Sequence, residues 1–268
     1  MVHLSLRGTP LPCGDGPLEA VLFDKDGTMS HSEPMLEALA QARVFHCLAL
    51  AGQAEGDPER LRDLGALLHR AYGLSAEGIH PAGTMAVGSR DQNLVATGTA
   101  LAQVGFGWPE ALAMAEAVFA RTDGLHGQGS AQRPAPTPGL RPLLEALRQA
   151  GVRCAVISND HVEGIEAFLA AHDLAAYVQA IWSAEHQPRK PDPAAIHGLC
   201  EELGVAAQSC ALVGDANSDL RMARAAGVPV VLGYRAGWRR PVALDGSFLQ
   251  LDHWQELAVV PGPANRGE

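Results

Sequence analysis

Asp24-Lys25-Asp26-Gly27-Thr28 sets two carboxylates two residues apart, directly behind the apolar run Ala20-Val21-Leu22-Phe23. In extended chain that spacing turns both side chains to one side. Gly27 then lets the backbone turn sharply, and Thr28 offers a hydroxyl. Three further segments carry chemistry: Ser158-Asn159, Lys190 within Arg189-Lys190-Pro191-Asp192-Pro193, and Gly214-Asp215-Ala216-Asn217-Ser218-Asp219. Together they supply a carboxylate nucleophile, a carboxylate acid, a hydroxyl, an ammonium and metal-binding carboxylates. That is a full set for magnesium-assisted phosphoryl transfer through an aspartyl-phosphate. Phosphate monoesters need acceleration of up to ~10²¹-fold, whereas one positioned acid or base contributes about 10²–10⁴-fold. A metal, a nucleophile and a leaving-group acid are therefore wanted together.

Mg²⁺ prefers oxygen ligands and keeps several waters. Asp24 and Asp215, at the tips of adjacent strands, are placed to share one ion, and Asp219 points the same way once a helix has begun. A Ser158 hydroxyl beside the first N–H groups of a helix suits phosphate oxygens. The Lys190 ammonium would neutralise phosphate and carboxylates alike. Each segment alone also has a plainer reading: an Asp-Gly turn, Ser-Asn turn chemistry, a solvated basic pair, and helix capping by Asp215 or Asn217. Their combination, at strand and loop ends, outweighs those readings.

The elements that must position these groups follow from periodicity. Residues 20–23, 152–157 and 211–213 read as short buried strands, 180–182 as a weaker one, and 228–232 as a fifth, placed at a sheet edge by Pro229. Leu140, Leu143, Leu144 and Leu147 recur at helical spacing before Gly151. Asp160 is expected to cap a helix with Glu163 completing a capping box. Asp192-Pro193 starts another helix that Gly204 ends. Such alternation predicts an α/β fold, a Rossmann-like parallel sheet with its site at the carboxyl ends of the strands. Between Ser30 and Thr137 no strand signal is convincing. One helix starts near Pro34 and stops at Gly52, a second runs from Asp57-Pro58 to Gly73, a third covers 85–104, and a fourth starts at Trp108 and ends near Thr122. The expected organisation is a core of residues 1–29 and 137–268 with an inserted all-helical cap of residues 30–136, joined by a Gly- and Pro-rich linker over 124–139.

Bulk properties narrow the function classes. The chain has 268 residues, 47% of them apolar, and a formal charge of −10, which argues against nucleic-acid binding by backbone neutralisation. Five scattered cysteines without a Cys-x-x-Cys pair fit a reducing compartment, the cytoplasm. No run of about 18 apolar residues spans a membrane, and residues 1–16 lack a signal-peptide pattern. Eleven histidines include no His-Glu-x-x-His. Gly124 to Gly129 follows no apolar strand and fails as a dinucleotide fingerprint. Asp245-Gly246 reads as a turn, and His161 as a surface group or one at the site mouth.

On these residues the chain resembles the haloacid dehalogenase-like hydrolase superfamily. Asp24 to Thr28 matches its Asp-x-Asp-Gly-Thr, Ser158 its post-strand Ser or Thr, Lys190 its Lys-Pro, and Gly214 to Asp219 its Gly-Asp-x-x-x-Asp. The insert is similar to the helical C1 cap of phosphoglycolate phosphatase-like and β-phosphoglucomutase-like members, and the first motif resembles the former. The resemblance implies that Asp24 attacks phosphorus and that Asp26 serves as acid, then as base. It implies Mg²⁺ on Asp24, Asp26 through its carbonyl, Asp215 and Asp219. Ser158, Lys190 and the Asn159 N–H would bind phosphoryl oxygens, with Thr28 in the same substrate-binding set. Dehalogenase members generally lack the second Asp, so Asp26 favours phosphate over halide. Carboxylate neighbours are expected to raise the Asp26 pKa. In the cap, which the resemblance expects to close over substrate, Arg90 with Gln92 and Asn93 forms a polar cluster suited to a leaving-group carboxylate; an exposed helix face is the alternative reading. Arg43 and Arg121 are of the same kind. The implied activity is hydrolysis of a small phosphorylated metabolite, phosphoglycolate among the candidates. A sugar-phosphate mutase and a non-catalytic phosphate- or partner-binding protein are the alternatives. Oligomeric state has no signature in the sequence.

Overall fold

A computed structural model describes residues 2–11, 13, 16–54, 56–125 and 133–261. The chain divides into two compact units: Met1–His31, Ala135–Gly237 and Pro241–Glu268 form the core unit, and Ser32–Pro134 with Trp238–Arg240 form the cap unit.

The elements in chain order begin with β1 (Val2–Leu6), β2 (Thr9–Leu11), β3 (Ala20–Phe23) and β4 (Ser30–His31). The cap unit holds α1 (Glu33–Ala54), α2 (Pro58–Tyr72), β5 (Leu74–Ser75), β6 (Gly78–Ile79), α3 (Thr84–Val87), α4 (Arg90–Gln103) and α5 (Trp108–Thr122). The core resumes with β7 (Ala135–Pro136), α6 (Leu140–Gln149), β8 (Arg153–Ile157), α7 (Val162–Ala171), β9 (Val178–Trp182) and α8 (Pro193–Leu203). It closes with β10 (Cys210–Gly214), α9 (Asn217–Ala225), β11 (Val230–Tyr234), β12 (Leu249–Leu251) and β13 (Leu257–Pro261).

The fold is α/β, as the alternation predicts. Six strands lie in the order β12-β11-β10-β3-β8-β9, every pair parallel. Alternation along β3 divides the core. Val21 and Phe23 pack with Leu residues of α6 and with Ile165 and Phe168 of α7, while Ala20 and Leu22 pack with Ile196 and Leu199 of α8 and Leu220 of α9. Both faces of the strand are buried, so it reads as a continuous apolar run. The register pairs Phe23 with Val213 on one side and Val156 on the other, so three strand tips end level with one another.

Several expectations need correction. Pro229 precedes β11, and β12 pairs beyond it, so β11 is not the edge. Placing Pro just ahead of the strand spares the ladder the missing N–H. A second sheet, β13-β1-β2, joins the chain ends in antiparallel pairing; polar residues such as His3 and Ser5 in β1 had hidden it. The cap carries a two-residue ribbon, β5 against β6, too short to leave a periodic signal. The third cap helix is in fact two, because the Gly88-Ser89 step ends α3 and Ser89 caps α4 in a capping box with Gln92. Gly52 lies inside α1, which runs on to Ala54. Caps at Asp57 and Asp192, and left-handed stops at Gly73 and Gly204, stand where composition places them. Of the Gly- and Pro-rich stretch, residues 126–132 lie outside the described residues. No helix among the described residues is long and apolar enough to cross a membrane.

Candidate active site

The site assembles at the carboxyl ends of β3, β8 and β10. Asp24 follows β3 and its backbone N–H donates to the Val213 carbonyl at 2.9 Å, which ties this carboxylate to the end of β10. The turn behind it is built by Gly27, whose φ of 79° lies in the left-handed region that favours glycine. Gly27 N–H donates to Ser30 O at 2.9 Å, and both the Ser30 N–H and its hydroxyl donate to the Lys25 carbonyl, at 3.0 and 3.1 Å. The Thr137 hydroxyl donates to Thr28 O at 2.8 Å and in turn accepts from the Trp254 indole at 2.7 Å. Trp254 stacks on Tyr234 with ring centres 4.5 Å apart. The motif is thus fastened to the buried aromatic layer beneath it.

Asp24, Asp215 and Asp219 are all buried, and each offers an oxygen within 4.8 Å of the others. Asp215 follows β10, and Asp219 sits in the first turn of α9, as the four-residue spacing requires. Gly214 makes the approach possible: a Cβ there would lie 2.9 Å from the Cβ of Asp219. Lys190 joins this trio. Its ammonium stands 2.6 Å from Asp24 Oδ1 and 2.9 Å from Asp219 Oδ1, and donates to Ile157 O at 3.3 Å. Burial alone pulls the Lys190 pKa down, yet Asp219 and Asp24 outweigh it and hold it well above the usual lysine value. Burial pushes the Asp24 carboxyl up to about 6, with Lys190 opposing and Asp219 reinforcing the rise. The three buried carboxylates gather hard oxygen donors beside the Lys190 ammonium. A divalent, oxygen-seeking cation such as Mg²⁺ fits that donor set in charge and chemistry.

Ser158 follows β8; its N–H donates to Trp182 O at 2.9 Å, and its buried hydroxyl accepts from the Asp160 N–H at 3.2 Å. Asn159 is adjacent and half-buried. Thr28, expected beside substrate, donates its hydroxyl to Asp215 Oδ1 at 3.1 Å and so aligns a carboxylate of the trio. Asp26 meets an ammonium: Lys25 Nζ lies 2.7 Å from Asp26 Oδ1 and 3.0 Å from Asp160 Oδ2. Asp160 does not cap α7; His161 is the N-cap residue, without a side-chain cap bond. Lys25 and Asp160 are the groups that sequence reasoning passed over, although an ammonium between two carboxylates in one motif was a signal. Gly237 is a third. A Cβ on it would lie 1.7 Å from the Gly27 carbonyl oxygen, so only glycine lets the two backbones meet.

Elsewhere, Asp245 forms the turn its sequence suggests, accepting from Ser247 N–H at 2.9 Å. His161 is half-exposed and pairs with Glu185 at 3.0 Å. Within the cap unit, Arg90 opens α4 and donates through Nε and Nη2 to Asp123 Oδ2, at 2.8 and 2.6 Å. Arg43 is buried with its guanidinium 3.8 Å from the centre of the Phe119 ring. Asn93 donates to the carbonyls of Thr84, Gly88 and Ser89. Arg121 is exposed.

Comparison with known proteins agrees with this geometry. The family model for haloacid dehalogenase-like hydrolases matches residues 18–227. A phosphoglycolate phosphatase of Rhodospirillum rubrum is 32% identical over 242 residues, 89% of each chain. One from Pseudomonas savastanoi pv. phaseolicola is 34% identical over 127 residues, 47% of this chain and 46% of its own length. Among solved structures, a predicted phosphoglycolate phosphatase from Haemophilus somnus 129pt superposes with a TM-score of 0.61 at 19% identity, covering 88% of this chain and 95% of its own. A HAD-superfamily hydrolase from Geobacter sulfurreducens PCA gives 0.51 at 21% identity, covering 91% and 96%. At those identities the structures speak for the fold.

Proposed function

Because the chain belongs to the haloacid dehalogenase-like hydrolase family, phosphoglycolate phosphatase-like within it, and is therefore an enzyme, we propose that it hydrolyses a small phosphorylated metabolite, with 2-phosphoglycolate the first substrate to test. The observation that carries this reading is the buried trio Asp24, Asp215 and Asp219 bridged by Lys190, with Asp26 two residues from the nucleophile.

Asp24, Asp215 and Asp219, with the Asp26 carbonyl, are the residues that would hold Mg²⁺. Bound there, the ion supplies positive charge for phosphoryl oxygens that would otherwise be repelled. Asp24 attacks phosphorus and becomes the aspartyl-phosphate, while Asp26 gives a proton to the departing oxygen. Asp26 then takes a proton from the water that cleaves the intermediate. Lys190 neutralises the phosphoryl group, and Ser158 and the Asn159 N–H bind its remaining oxygens. The protein is proposed to act in the cytoplasm, where its five buried cysteines stay thiols.

Phosphate release from a panel of metabolite esters, compared by kcat/KM with and without Mg²⁺, tests the reading. Mg²⁺-dependent release with phosphoglycolate ahead of hexose phosphates is expected, and excess EDTA should bring turnover to background. Full activity in EDTA, or no release from any ester, overturns it.

A further inference from the structure

Lys25 lies between the two carboxylates of the first motif, and its ammonium bonds the second of them. Its side chain is 2% exposed, and its ammonium meets Asp26 Oδ1 at 2.7 Å and Asp160 Oδ2 at 3.0 Å. Asp160 is itself oriented, since its Oδ1 accepts from the His161 N–H at 2.8 Å. At the other end of the residue, the Lys25 carbonyl accepts from Ser30 N–H and Ser30 Oγ. Lys25 is thus fixed at its backbone and at its ammonium, and the second anchor comes from the turn after β8.

We propose that Lys25 is a positioning residue that fixes the Asp26 carboxyl group for proton transfer, with Asp160 as its brace. An ammonium only donates, so the Asp26 oxygen facing it, Oδ1, always accepts. The proton of the acid form therefore belongs on Oδ2, and Lys25 settles which oxygen delivers it. The inference rests on the reading of Asp26 as acid and base given above. In the first step the bond from an Asp24 oxygen to phosphorus forms, the ester P–O bond breaks, and the Oδ2 proton passes to the departing oxygen. In the second, water oxygen bonds phosphorus, the Asp24–phosphorus link breaks, and a water proton returns to Oδ2. Lys25 keeps its three protons throughout.

The test is single-turnover leaving-group release, with enzyme in excess and Mg²⁺ present, from 2-phosphoglycolate and from p-nitrophenyl phosphate. Glycolate must leave with a proton, whereas p-nitrophenolate departs as a stable anion without one. Lys25→Met should slow glycolate release about 10- to 100-fold, part of what a positioned acid supplies. Release of p-nitrophenol should fall at most about threefold, because that step does not draw on the acid. Asp160→Asn, at a half-exposed brace, should show the same selectivity at about 3- to 10-fold, and it carries the test if Lys25→Met does not fold. A single-turnover rate constant does not depend on the inactive fraction, so the split between esters cannot arise from partial unfolding. Equal losses on both esters, or undiminished glycolate release, overturn the positioning role while leaving the phosphatase reading intact. Wild-type protein that cleaves neither ester overturns both.

Discussion

The core site and the polar cluster of the cap contain the same residue types and use them in opposite ways. In the cap, Arg90 and Arg43 both reach Asp123, Ser89 and Gln92 close a capping box, and Asn93 ties the end of α3 to the start of α4. Those groups hold helices together. In the core, three buried carboxylates converge beside the Lys190 ammonium, and the Lys25 ammonium is held by Asp26 and Asp160. Gathering like charges in a buried site is costly, and helix packing gives no reason for it. The difference lies in convergence: the cap groups are spent on helix ends and backbone carbonyls, whereas in the core three carboxylates bring oxygens within 4.8 Å of one another.

Substitutions can break or sharpen this contrast. The largest effect belongs to Asp24→Asn, which keeps the shape of the side chain and removes the proposed nucleophile. It should lower kcat by more than about 10⁴-fold, with the far-UV circular dichroism unchanged; substantial residual turnover would refute the nucleophile. Lys190→Met should lower kcat by about 10²–10³-fold, the loss typical of one electrostatic group aimed at developing charge. A change confined to KM would place Lys190 outside the chemical step. Gly237→Ala tests whether the close backbone approach matters. A Cβ there would overlap the Gly27 carbonyl, so the turn carrying Asp26 and Thr28 must shift. Misplacement on the order of 1 Å costs about 10²-fold, and kinetics of a folded variant with wild-type rates would show the approach to be incidental. The smallest effect is expected in the cap. Ser89→Ala removes the N-cap bond to Gln92 N–H and should cost about 1 kcal/mol of stability. Thermal melting should register it as a drop of about 2–4 °C, with kcat unchanged; a kinetic effect without a stability effect would reverse the assignment of this cluster to architecture.

How much was legible beforehand differs between the same two regions. Around the core site, strong local signals sufficed: apolar runs bounded by Asp24, Ser158 and Asp215, and helix caps at Asp192 and Gly204. Each of these is written within a few residues. The cap helices at Asp57 and Trp108 were equally plain, but the break at Gly88 and the ribbon at Ser75 and Gly78 were not, because two or four residues carry no period. Asp160 shows the limit most directly. Its sequence context suits a helix cap, and nothing local says that a buried lysine far away in the chain will claim it.

The amino-acid order by itself determined the alternation of strands and helices and which side chains are candidates for chemistry, because hydrophobic period and side-chain chemistry are properties of short segments. Which carboxylate meets which ammonium was decided only when the parallel register brought the ends of β3, β8 and β10 level. Pairing across 166 positions, as between Asp24 and Lys190, follows from that packing and has no local trace.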